Sequence, residues 1–142
     1  MTPTIEITFQ APFHDIDLLE VVWHGHYYKY FELARTELFR KYDFDVPRIR
    51  EMGYSMVVIE SKCKYINPIR YGMEVIARAT IDTNELDYRI CINYLLTEKE
   101  SGRRLAKGST IHVTMNPKNG TPYMETPEDI RAIFSKPIGE AS

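Results

Sequence analysis

Apolar and polar positions alternate at the start of the chain, where Ile5, Ile7, Phe9, Ala11 and Phe13 are separated by Glu6, Thr8, Gln10 and Pro12. A period of two is that of a half-buried strand, so a strand is predicted here, ending at a cluster of carboxylates. From Tyr27 the period lengthens. Tyr27, Phe31, Ala34, Leu38 and Tyr42 recur at three- and four-residue spacing with Lys29, Glu32, Thr36 and Arg40 opposite, which predicts a helix with one face for a core. Glu37 and Lys41 add a favourable exposed pair. The pattern fades from Asp43 to Pro47, and a short turn or helical piece over Arg48 to Gly53 leads into the second half.

That half reads as four strands, roughly Ser55 to Ile66, Met73 to Asp82, Tyr88 to Glu98 and Arg104 to Met115. Asn67-Pro68, Asn84-Glu85 and Ser101-Gly102 are the turn signals between them, and connections this short imply antiparallel neighbours. Met73, Val75, Ala77, Ala79 and Ile81 share one face, as do Tyr88, Ile90, Ile92, Tyr94 and Leu96. Both faces are suited to close over the helix. Gly108 marks a bulge or a close approach. Thr126 followed by Pro127 predicts the cap and first position of a short C-terminal helix through about Phe134. The expectation is one α+β domain over residues 1–142, in which a single long helix packs on a five-stranded antiparallel sheet.

Composition narrows the partners. Eighteen Lys and Arg against twenty Asp and Glu leave a net charge of −2, so the chain has no general attraction to nucleic acid or to an anionic membrane. Tyr27, Tyr28 and Tyr30 fall at helical spacing without a basic stripe, which favours core packing over base stacking. No apolar run is long enough to span a bilayer and no leader pattern is present, so a cytoplasmic protein is expected. Cys63 and Cys91 lack metal or redox spacing and are expected to be buried free thiols. Lys62, Lys64 and Arg70 form a modest basic cluster, usable for phosphates or simply a solvated face.

The chemistry concentrates between Phe13 and Tyr27. Asp15 and Asp17 would point the same way if their segment stayed extended, and a carboxylate can attack an activated acyl carbon or take a proton from water. Both could equally cap or turn the chain into the helix. His24 and His26 flank Gly25 where unpaired N–H groups and the helix dipole favour negative charge. With Asp15 and Asp17 they make only a loose metal pattern, and no metal or other cofactor is expected. Gly25 either admits a ligand close to backbone amides or merely starts the helix. His14 and His112 read as hydrogen-bonded structural residues.

Phe13-x-Asp15-x-Asp17, Val21-Val22-Trp23-His24-x-His26-Tyr27 and Tyr30-Phe31-Glu32-x-Ala34-Arg35 closely resemble the opening of the 4-hydroxybenzoyl-CoA thioesterase family of hotdog-fold proteins. The likeness is greatest to the short acyl-CoA thioesterase branch similar to the Tol-Pal-associated enzyme. Tyr65-x-x-Pro68 with Gly72, and Ala106-x-Gly108-x-Thr110-x-His112-Val113, extend it over nearly the whole chain. The resemblance implies the hotdog fold, a homodimer or homotetramer, and hydrolysis of an acyl-CoA or acyl-carrier-protein thioester at sites between subunits. It implies that Asp17 is the catalytic carboxylate, as nucleophile or general base, and that the backbone N–H at His24 polarises the carbonyl. Asp15, Gly25, His26 and Tyr27 are the implied supporting residues, with Tyr27 lining the acyl pocket. Lys62, Lys64 and Arg70 are candidates for the carrier phosphates. Glu20 stands where the family usually has a small residue, and Leu18-Leu19 replace smaller neighbours. Two other readings keep the same fold: a non-catalytic acyl-CoA-binding protein and a hydroxyacyl-thioester dehydratase, the latter disfavoured by the early Asp-x-Asp loop.

Overall fold

The computed structural model describes residues 2–135. Strand β1 (Thr4–Gln10) leads through two single 3-10 turns, Phe13–Asp15 and His24–His26, into helix α1 (Tyr27–Lys41). A short helix α2 (Val46–Glu51) precedes β2 (Ser55–Tyr65), β3 (Glu74–Ile81), β4 (Ile90–Glu98) and β5 (Arg104–Asn116), and a two-residue strand β6 (Thr121–Pro122) and helix α3 (Glu128–Ser135) follow. The antiparallel sheet runs β1-β3-β4-β5-β2 with β6 on β5, so the five expected strands are joined by one short addition.

Register explains which residues meet the helix. Directly paired residues share a face, so Ile7, Ala77, Leu96, Ala106 and Tyr65 form one inward row and Ile5, Ala79, Tyr94, Gly108 and Cys63 the next. Small residues in the middle of these rows leave room for the large side chains of α1. Phe31 lies parallel on Tyr94, their centroids 4.5 Å apart, over Gly108. A Cβ at Gly108 would stand 2.3 Å from the Lys62 carbonyl and 2.6 Å from the Phe31 ring. Gly108 is therefore a close approach; the register shifts fall instead between Val58 and Glu60 and between Leu96 and Thr97. Gly108→Ala is expected to cost about 1–3 kcal/mol, the usual penalty for overpacking, measurable by denaturant unfolding.

At the other end of α1, Phe134 and Ile130 of α3 are buried, and the Phe134 ring packs on Phe39, Tyr42 and Phe44. The helix packs chiefly on β3 and β1, off the centre of the sheet. The inner side of β2 is consequently left open, and Val58, Ser61 and Tyr65 are exposed there.

Three local expectations are corrected. Tyr88 precedes β4 and is exposed, because the turn from Asp82 continues through hydrogen bonds to Glu85 as far as Arg89. Glu37 pairs with Arg40 one turn on, at 2.7 Å, and not with Lys41. Cys63 and Cys91 are free but only half-buried.

Candidate active site

Pro12 ends β1, and the 3-10 turn that follows throws Asp15 inward. Its side chain is 1 % exposed and accepts hydrogen bonds from the Lys29 ammonium and the Tyr30 hydroxyl. His14 and His26 stand at 3.6 and 3.7 Å. Burial by itself would raise the Asp15 carboxyl, but the bonds from Lys29 and Tyr30 and the nearby charges outweigh it and hold the group below its ordinary value. The Tyr30 hydroxyl is pushed up by the same burial and by its bond to Asp15, so the proton stays on tyrosine. Asp15 also accepts from the Trp23 N–H through its carbonyl, tying both ends of the loop together.

Asp17 has a different fate. Ile16 bridges to Val22, and the Asp17 N–H donates to the Val21 carbonyl, which closes a tight hairpin. The Leu19 N–H donates to Asp17 Oδ1 at 2.8 Å, leaving Oδ2 without a donor among the described residues. Glu20 takes the left-handed conformation, φ 66°, that closes the turn and that glycine adopts more readily. Leu18 and Leu19 project from the tip, exposed. The two carboxylates meet different partners: Asp15, at the end of the Phe13–Asp15 turn, bonds Lys29 and Tyr30 of α1, whereas Asp17 bonds the Leu19 N–H within the hairpin.

The second 3-10 turn begins at His24, whose carbonyl accepts from the Tyr27 N–H and from the Tyr65 hydroxyl at 2.8 Å. The N–H groups of His24 and Gly25, at the free end of this turn, donate to no described residue. The imidazoles diverge: His26 turns to Asp15, and His24 faces Tyr65 across 6.1 Å between ring centroids. A Cβ on Gly25 would sit 2.2 Å from the Trp23 indole, so the missing side chain makes room for that ring. Tyr27 is buried beneath Tyr65, the rings 4.7 Å apart, and Tyr65 is the one exposed.

Lys62 and Lys64 pair with Ser109 and Lys107 on the face of the sheet away from α1, around a shallow pocket of about 560 Å³. Arg70 lies apart from them, in the loop whose Ile69 carbonyl accepts from the Val22 N–H. Lys29 and Tyr30 were not predicted as partners of Asp15. The helical pattern put Lys29 on the solvent side, and nothing in it could show a buried carboxylate arriving there.

The sequence pattern of the thioesterase-like superfamily matches residues 11–134. The chain belongs to that superfamily. A protein of Aquifex aeolicus named "Putative esterase" is 28% identical over 126 residues, 88% of this chain and 93% of the relative. The 1,4-dihydroxy-2-naphthoyl-CoA thioesterase of Synechocystis superposes with a TM-score of 0.83 at 18% identity, covering 94% of this chain and 96% of its own. A 4-hydroxybenzoyl-CoA thioesterase, solved as an Asp-to-Asn mutant with 4-hydroxybenzoyl-CoA, gives a TM-score of 0.80 at 14% identity over 93% and 99% of the two chains. The fold shared with these thioesterases is the hotdog, a long helix against an antiparallel sheet. In this superfamily member the helix is α1, and the Asp17 hairpin and the free N–H groups stand at its N-terminal end.

Proposed function

We propose that this protein hydrolyses an acyl thioester, of CoA or of a carrier protein, to the free acid and the thiol. The reading rests above all on one juxtaposition: Asp17, a carboxylate with one oxygen that has no donor among the described residues, in the same loop as the His24 and Gly25 N–H groups, which have no acceptor among them. Donors of this kind stabilise the oxyanion that forms when a thioester carbonyl is attacked. Asp17 then acts in one of two ways. As nucleophile it bonds to the carbonyl carbon and expels the thiolate, giving an anhydride that water opens; as general base it takes a proton from the attacking water. The thiolate leaves as thiol after taking up a proton. The CoA thioesters named for the structural relatives support an acyl-CoA substrate.

A panel of acyl-CoA and acyl-carrier-protein thioesters, read by release of free thiol, tests the reading directly. Turnover of at least one member is expected, and tight binding without turnover would favour the non-catalytic alternative. His24→Ala is expected to keep more activity than any change that removes the Asp17 carboxylate, because the group used at position 24 is the backbone N–H. Abolished turnover in a folded His24→Ala variant would make the imidazole itself the acid or base.

The reading also includes a homodimer or higher assembly. β2 is an edge strand along which Val57, Val58 and Ile59 are exposed, and unpaired apolar edges are normally covered. Light scattering at assay concentration is expected to give at least a dimer, and a fully active monomer would remove this part of the proposal.

A further inference from the structure

One peptide group, between His24 and Gly25, meets a side chain on one side and no described acceptor on the other. Its N–H, on Gly25, donates to no described residue, and its carbonyl, on His24, accepts the Tyr65 hydroxyl at 2.8 Å and the Tyr27 N–H. Among the described residues no peptide bond is cis, so this carbonyl and N–H point in opposite directions. Whatever fixes the carbonyl therefore aims the N–H.

Tyr65 is built to fix it. It closes β2 opposite Ala106 of β5, and the strand end is pinned just beyond it, where the Ile66 and Asn67 N–H groups donate to the Leu105 carbonyl and the Asn67 amide donates to the Arg104 carbonyl. The ring packs on buried Tyr27, so strand and ring together set where the hydroxyl lies. Partial burial and the neighbouring Cys63 thiol push that hydroxyl up to about 12, and at neutral pH it keeps its proton and donates. Trp23 and His26, at the cap positions of the turn and of α1, make no side-chain capping bond. Among the described residues, Tyr65 supplies the one side chain that bonds the backbone of residues 23–27.

Building on the hydrolysis reading, we infer that Tyr65 is a positioning residue of the oxyanion site: by donating to the His24 carbonyl it aims the Gly25 N–H at the thioester oxygen and strengthens it as a donor. Bonds in a chain polarise one another, each by about 10–30%, and the peptide group passes that polarisation from its carbonyl to its N–H. Donors held in place act most where charge develops, so the gain falls on the transition state more than on the bound substrate. Tyr65 touches no reacting atom, and its proton stays on the phenol throughout.

Tyr65→Phe keeps the ring on Tyr27 and removes the hydroxyl alone. With the best thioester of the panel, its single-turnover rate is expected to fall by about 5- to 30-fold, less than the roughly 10²–10³ that follows loss of an oxyanion donor itself, while KM stays within about twofold of the wild type. In NMR spectra of the free variant, the His24 carbonyl carbon is expected to move upfield and the Gly25 amide to shift with it. An unchanged rate, a loss confined to KM, or a slower rate with both resonances unmoved overturns the inference. If the variant does not fold, 3-fluorotyrosine installed at position 65, a better donor of nearly the same size, decides: a downfield move of the His24 carbon sustains the inference and no move refutes it. Should the wild type cleave no thioester, the hydrolysis reading fails separately. The resonances of Tyr65→Phe then judge Tyr65 alone, shifts at both sustaining its hold on this peptide and silence at both refuting it.

Discussion

Asp17→Asn is expected to leave a folded protein whose turnover falls by about 10²- to 10⁴-fold, the range for loss of a positioned proton acceptor, or further if Asp17 is the nucleophile. The substitution is unusually clean here. The side-chain oxygen of asparagine can still accept the Leu19 N–H, so the turn that holds the hairpin survives while the anionic oxygen is lost. Asp17→Ala removes both and is expected to loosen the loop as well. Circular dichroism and thermal melting of the asparagine variant should match the wild type, and single-turnover hydrolysis should not. Near wild-type turnover in Asp17→Asn would take the carboxylate out of the mechanism. An equally deep loss on a per-folded-molecule basis in Asp15→Asn would instead make the two acids a working pair, against their separation in the structure.

The elements were legible where local pattern and tertiary environment agree. Strands β3 and β4 carry apolar residues at every second position because one face of each meets α1. The helix was equally plain, its apolar stripe ending in a buried core. What could not be read was the fate of side chains in the loop. Asp15 and Asp17 are two residues apart, so alternation puts them together; in the structure Asp15, closing a 3-10 turn, is buried on α1 while Asp17 is half-buried in the hairpin. Gly25 offered two meanings, and the Trp23 ring that fills its place belongs to a rotamer choice no spacing reveals. The lysines were a different matter, because the signal was present. Lys62 and Lys64 alternate with Cys63 and Tyr65, so once Tyr65 faces the helix the two lysines must face away. Period-two reasoning applied to β2 would have placed them on the face away from the helix.

Asp15→Asn is expected to cost about 2–3 kcal/mol of stability and to lower the melting temperature by about 5–12 °C. Breaking a fully buried ion pair costs about 3–5 kcal/mol, but Lys29 is 42% exposed and can turn to water once its partner is gone. The larger share falls on Tyr30, whose buried hydroxyl would lose its charged acceptor. The pH dependence carries a definite sign. The folded Asp15 carboxyl lies below its ordinary value of 3.8, so its contribution is fully present above that value and is lost as pH falls through the lower folded value. The stability gap between wild type and Asp15→Asn should therefore be constant from neutral pH down to about 5 and narrow below about 4, as acid removes from the wild type what the substitution has already removed from the variant. Denaturant titrations at a series of pH values give the gap directly. A gap that widened on acidification would mean that Asp15 is protonated in the native state, and the bonds from Lys29 and Tyr30 would no longer account for the loop that presents Asp17.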